Sequence, residues 1–137
     1  MKLPEQDAAR WLAQATDDLC FAEWLLEENR FFDKGCFIAQ QAAEKALKAC
    51  LYGQGARTVL GHSVLELLER LVSRFRDLAK LKDDARLLDR FYIPTRYPNG
   101  LPGGAPFEAF VRDDLEQAIS MASRIVGAAG QILGRKP

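Results

Sequence analysis

Between residues 5 and 133, apolar side chains return every three or four positions, the period of one buried helix face, and no segment alternates as a strand does. The first such stretch, 5–29, places Trp11, Ala15, Ala22, Leu25 and Leu26 on one face. It is rich in Ala, Leu, Glu and Gln, all good helix formers, so it predicts a long helix. Asp18 falls on the same side, where a carboxylate needs a partner. Either it pairs with a basic residue or it forms the wall of a polar site. Trp11 and Trp24 lie roughly 140° apart around the axis, so a narrow core stripe accepts only one of them. The other is a candidate for a dimer or partner surface.

The second stretch predicts a helix over 33–52, with Asp33 as its cap and Gly53 and Gly55 at its end. Phe32, Cys36, Ala39, Ala43, Leu47 and Cys50 make a narrow stripe dominated by small side chains, which suits a central helix approached closely by its neighbours. Gln41, Glu44, Lys45 and Lys48, with Phe37 beside them, occupy about a third of the circumference on another face.

A glycine-containing connection, 53–62, precedes Ser63-x-x-Glu66, a capping-box pattern ahead of Leu67, Leu68, Leu71 and Phe75. This sets a third helix at about 64–75. Leu78, Leu81, Ala85, Leu88 and Tyr92 predict a fourth over 77–92. Residues 93–106 then take four of the six prolines and three glycines, the composition of an ordered loop, and a loop of this length usually has a task. A last helix, 112–133, carries Asp113 and Asp114 at its positive end and Leu115, Ala118, Ala122, Ile125, Ala129 and Leu133 on its inner side. The fold class that follows is all-α: an antiparallel up-and-down helical bundle of four to five helices in one domain over 1–137, with a Pro/Gly-rich loop before the last helix.

Composition narrows the function classes. With 137 residues, 48% hydrophobic and 28% charged, the chain suits a single globular domain. Its 19 basic and 19 acidic groups cancel, which argues against wholesale wrapping of DNA. The charge is uneven: residues 1–56 hold 6 basic and 9 acidic groups, and residues 57–96 hold 9 basic and 6 acidic. The second segment offers either a local basic surface or an ordinary mixed one. Cys20, Cys36 and Cys50 are odd in number, lack a C-x-x-C pair and lie in apolar helical patterns, as buried thiols in a reducing compartment do. With His62 the only histidine, a zinc site with ordinary ligand spacing cannot be built, and neither metal nor cofactor is expected. The start, Met1 to Asp7, is unlike a secretory signal, and no apolar run approaches the roughly 20 residues needed to span a bilayer. A cytoplasmic location is the expectation.

Three segments together resemble the HEPN domain family: Trp11 to Leu26 (WLAQATDDLCFAEWLL), Cys36 to Ala49 (CFIAQQAAEKALKA) and Leu88 to Asn99 (LDRFYIPTRYPN). The resemblance extends over roughly 8–130, and QQAAEKALKA and RYP are its specific parts. It implies an antiparallel helical bundle, commonly a homodimer. It also implies nucleotide or RNA binding in some members, frequent pairing with a minimal nucleotidyltransferase and, through the family's toxin-type endoribonucleases, a toxin–antitoxin setting. The family's nuclease branch carries an arginine followed, after four to six residues, by a histidine near the last helices. Arg86, Arg90 and Arg96 lie in that region and no histidine follows them. Arg57 and His62 have the spacing but fall ahead of the third helix. No catalytic residue is assigned.

The candidate nucleotide-binding residues are Arg96, Tyr97, Lys45, Lys48, Gln41, Glu44, His62 and Asp18. A guanidinium offers a planar fork of donors to phosphate, and a tyrosine ring offers a face to a base. Pro94 and Pro98 restrict the loop that carries Arg96 and Tyr97, lowering the ordering cost of binding. The competing arrangement has Arg96 paired with Asp18, Glu44 or Asp89 and Tyr97 filling the core rim. Lys45 and Lys48 add charge beside such a crevice or form a solvated face, and Gln41 and Glu44 orient the lysines or meet a base edge. His62 serves either local hydrogen bonding ahead of Ser63 or an anion near the loop. The expected function is a nucleotide- or RNA-binding module, homodimeric and partnered with a nucleotidyltransferase. A metal-independent endoribonuclease and a purely structural dimerisation module are the alternatives.

Overall fold

The computed structural model describes residues 3–134, and every regular element among them is helical. Helix α1 spans Pro4–Glu28, α2 Phe32–Gly53, α3 Val64–Val72, α4 Lys82–Asp89, the short α5 Pro106–Ala109 and α6 Arg112–Gly134. Two 3₁₀ turns, Arg76–Leu81 and Pro98–Gly100, interrupt the connections. No helix among the described residues is long and apolar enough to cross a membrane.

The three long helices form the bundle. Asp18 of α1 meets Lys45 of α2, and Trp11 meets Tyr52, so α1 and α2 run antiparallel. Arg112, opening α6, reaches the Leu26 carbonyl and Asn29 at the end of α1, so these two are also antiparallel. Gly35 faces Leu115 and Gly53 faces Leu133, so α2 and α6 lie side by side in the same direction. The excursion through α3 and α4 returns the chain to the same end before α6 begins. Arg124 of α6 clasps Asp84 of α4 with two hydrogen bonds of 2.7 and 3.0 Å. That bond raises the already high pKa of the guanidinium.

Helix α2 is central, and its buried surface is wider than one narrow stripe: Ala42, Ala46 and Ala49 are as enclosed as Ala39, Ala43, Leu47 and Cys50. Side chains this small let α1 and α6 pack against it from two sides. Its start differs from the sequence expectation. Asp33 is not the cap; it lies inside the first turn, buried beside Lys34 at 3.1 Å. The cap position belongs to Phe31 in a left-handed conformation, φ 56° and ψ 48°, which is costly for a bulky residue. The cations Arg30 and Lys34 both lie over its ring.

Two further expectations are corrected. Residues 77–92 do not make one helix. Leu78 and Leu81 are three apart, a spacing that suits a 3₁₀ turn as well as an α-helix, and the chain takes the tighter form until Lys82. Cys20 is exposed on α1, while Cys36 and Cys50 are buried. Burial pushes the Cys50 thiol up to about 12 and raises Cys36 as well, so both stay protonated in the core. The capping expectation at Ser63 holds: its hydroxyl accepts from the Glu66 amide at 3.1 Å.

Candidate functional site

Asp89 ends α4 and fixes the start of α3. Its carboxylate accepts from the Ser63 hydroxyl and the Val64 amide, each at 2.6 Å. That bond draws the 53–63 connection against the end of α4, and so brings His62 to Tyr92, with ring centroids 4.9 Å apart and nearly parallel. Beyond Tyr92 the proline-framed loop turns tightly. The Thr95 hydroxyl donates to the Phe91 carbonyl, and the Arg96 and Tyr97 amides both donate to the Ile93 carbonyl. Gly100 closes the turn, because a Cβ there would stand 3.0 Å from the Pro94 Cα.

Arg96 is the product of this geometry. Its Nε donates to the Tyr92 carbonyl at 2.8 Å. Its guanidinium carbon lies 4.4 Å from the Phe37 and Tyr92 ring centroids and 5.1 Å from that of Tyr97. Cation–π contact on several rings fixes the plane of the fork. No carboxylate claims it among the described residues: Asp18 holds Lys45, Glu44 holds Lys48, and Asp89 caps α3. The terminal nitrogens have no protein partner among those residues, and no buried side-chain nitrogen is left unsatisfied there, so those nitrogens are not sealed from solvent. A groove of about 600 Å³ adjoins the guanidinium, walled by Phe21, Phe31, Phe37, Ile38 and Phe107 with Lys34 at its edge.

The other candidates divide by burial. Glu44 and Lys48 sit inside, their side chains 4% and 8% accessible, in a 3.1 Å ion pair. Gln41 donates to Gln40 at 2.8 Å and to Glu44 at 3.2 Å, and Gln40 in turn donates to the His62 carbonyl. The His62 Nδ1 lies 3.4 Å from the Glu44 carboxylate while the side chain stays 59% accessible. Asp18 takes the Lys45 ammonium at 2.5 Å and a 3.0 Å bond from Gln14. Tyr97 is half exposed. The structure therefore sets Arg96 and His62 each against the Tyr92 ring, with Tyr97 beside Arg96; the buried Glu44–Lys48 pair and the half-buried Gln41 adjoin His62, and Asp18 and Lys45 pair separately. Arg57 lines a trough with Trp11 and Tyr52 whose lining does not include His62.

Sequence reasoning missed the role of Tyr92, which it placed at the end of the fourth helix, on its apolar side. That ring carries both His62 and Arg96. Its position four residues before Arg96 was the available signal. It also missed Thr95, buried and anchoring the turn. Among the described residues no cluster of His, Cys, Asp and Glu is arranged to hold a metal.

Three long helices packed together, with shorter ones in the connections, define the class of this protein as an all-α helical bundle. The HEPN domain family model matches residues 8–132, and the chain belongs to that family. Among solved structures it is similar to TT1696 from Thermus thermophilus, at 36% identity over 91% of this chain and 97% of that one, with a TM-score of 0.85. An archaeal HEPN homologue, ST0689, is 34% identical over 96% and 99% of the two chains, with a TM-score of 0.75. A HEPN domain protein from Thermotoga maritima is 35% identical over 93% and 99%, with a TM-score of 0.73. The curated proteins contain no match.

Proposed function

We propose that the protein binds the phosphate of a nucleotide or RNA at Arg96, with His62 and Tyr97 flanking the anion and the base. The observation that carries this reading is a guanidinium oriented by three rings and one backbone carbonyl, without an ion-pair partner among the described residues, at the wall of a groove. Such a fork loses little further entropy on meeting a phosphate. Lys48 and Glu44 act beneath the site as supports. Gln41, linked to both Glu44 and Gln40, holds the floor on which His62 rests. Pairing with a minimal nucleotidyltransferase is supported by the family resemblance.

Thermal unfolding tests the binding. A ligand at ten times its Kd adds about 1.4 kcal/mol, which for a chain this size raises Tm by about 5 °C. ATP, GTP or a short RNA is expected to give such a rise and Arg96→Ala to remove it. The proposal fails if none of the three, at millimolar concentration, moves the Tm of the native protein.

A homodimer is the second part of the proposal, and the surface that favours it is aromatic. Trp24 is 52% and Phe107 68% exposed, and Phe21 and Phe31 stand open on the same groove. Apolar surface of this kind marks a protein contact more often than bare solvent. Trp24→Glu is expected to shift sedimentation from dimer to monomer. A monomer at every concentration of the native protein would remove this reading.

A further inference from the structure

A second surface carries positive charge that the chain itself leaves unanswered. Residues 70–82 hold five basic groups and one acid, Asp77. Leu78 and Leu81, three apart in the 3₁₀ turn Arg76–Leu81, share the buried side of that turn, which leaves Arg76, Asp77 and Lys80 exposed. Arg70 and Arg74, on and just after α3, are exposed as well. Elsewhere Arg10, Lys34, Lys45, Arg86, Arg112 and Arg124 each meet a carboxylate. Arg70, Arg74, Arg76 and Lys80 have no ion pair among the described residues, although Asp77 shares the turn with two of them.

Arg74, Arg76 and Lys80 line a hollow of about 380 Å³. Its floor is aliphatic: Leu78, Leu81 and Ile132, none more than 7% exposed, with Ala128 beside them. Gln131, exposed on α6, completes the lining. The hollow has no residue in common with the groove at Arg96. Gly35 faces Leu115 and Gly53 faces Leu133, so Phe37, which carries Arg96, is level with the start of α6 and Ile132 lies at its end. About 15 residues, or about 22 Å along the axis, separate the two levels.

Charge alone asks only for an anion; the floor of the hollow narrows the choice. A nucleic acid strand is held by bases stacked on open rings. The one ring lining this hollow, Phe75, is half-buried and packed against the core. A membrane surface is gripped by apolar side chains that reach out to it. Here the apolar side chains are recessed behind the cations. We infer that the hollow docks an acidic segment of a partner protein. One aliphatic side chain of that segment sits on Leu78, Leu81 and Ile132, and carboxylates on either side of it meet Arg74, Arg76 and Lys80. The aliphatic anchor leaves water on binding, while the charged rim steers the approach and fixes the register. Neither Arg96 nor its groove takes part.

Fluorescence anisotropy on the full chain tests this with two labelled nonapeptides, one of glutamates with a single central leucine and one of glutamates throughout, and with a labelled uridine octanucleotide. The leucine peptide is expected to bind about fivefold tighter or more than the all-glutamate peptide, from the aliphatic surface it buries. Arg74→Glu combined with Arg76→Glu should weaken the leucine peptide about tenfold or more, and added salt should weaken both peptides. Gln131→Trp, which fills the hollow from the exposed side of α6, should erase the preference for leucine and leave the all-glutamate peptide as it was. These side chains are exposed, so the variants should melt with the native protein. Equal binding of the two peptides, or a leucine preference that survives Gln131→Trp, overturns the anchor and with it the proposal. Peptide binding unmoved by the double charge reversal, or lost on Arg96→Ala, places the contact elsewhere and overturns it too. An octanucleotide that binds tighter than either peptide and is lost on the same reversal gives this surface to nucleic acid instead. Absence of peptide binding overturns the proposal and leaves the Arg96 reading untouched, since no residue is shared between the two sites.

Discussion

Glu44→Ala is expected to lower Tm by about 10–17 °C, corresponding to about 3–5 kcal/mol for a chain of this length. The carboxylate is enclosed in α2, and it is the partner of the Lys48 ammonium, itself 8% accessible at the side chain. Removing it strands a cation away from water with only the Trp11 face, 5.8 Å off, to answer it. Two further groups lose a partner at the same time: the Gln41 amide and the His62 imidazole. The size of the loss therefore measures an orphaned charge, not the net value of the pair. A buried ion pair exchanged whole for apolar side chains of similar volume is often neutral. The double variant Glu44→Leu with Lys48→Met is accordingly expected to regain most of the lost Tm in thermal denaturation followed by circular dichroism. If the single variant melts within about 3 °C of the native protein, Lys48 has another route to water and the floor of the crevice is not the closed ion pair described above.

The same residues show what sequence could and could not reveal. Helices α1, α2 and α6 were legible because each keeps a 3.6-residue period for more than 20 residues, long enough for the buried face to dominate the pattern. The partner needed by Asp18 was legible too, from a carboxylate placed on a core-facing side, though Lys45 as that partner was not. Between Arg76 and Asp89 the apolar residues recur at three and four positions in a segment too short to separate a 3₁₀ turn from an α-helix. Phe31 was invisible because left-handed backbone is announced by glycine or asparagine, as at Asn29, and not by phenylalanine. The polar face of α2 was legible as a cluster, but burial depends on what the chain lays over it. Trp11 and the 53–63 connection turn Glu44 and Lys48 into a floor, and they leave Arg96, His62 and Arg57 as the groups that meet solvent. No periodicity within α2 carries that information, since the covering segments come from elsewhere in the chain.

Gly35→Val is expected to cost about 1–3 kcal/mol, a fall in Tm of about 3–10 °C, and to be partly rescued by a second substitution across the interface. A Cβ on Gly35 would stand 2.6 and 2.9 Å from the two terminal carbons of Leu115. A leucine at a surface would swing aside, but Leu115 is fully enclosed between α2 and α6 and has no free volume to enter. Valine's gain over glycine in helix propensity is a fraction of a kcal/mol, too little to offset the overlap. Leu115→Ala alone leaves a cavity and is expected to cost about 2–5 kcal/mol. Combined, the new valine fills part of that cavity, so the double variant should be more stable than the sum of the two single losses by about 1 kcal/mol or more. Strict additivity in the double-mutant cycle would show that α2 and α6 separate locally to accept the valine. The functional stake lies two residues further on. Phe37 carries one face of the Arg96 guanidinium, so α6 pressing on Gly35 sets the height at which α2 presents that ring to the crevice.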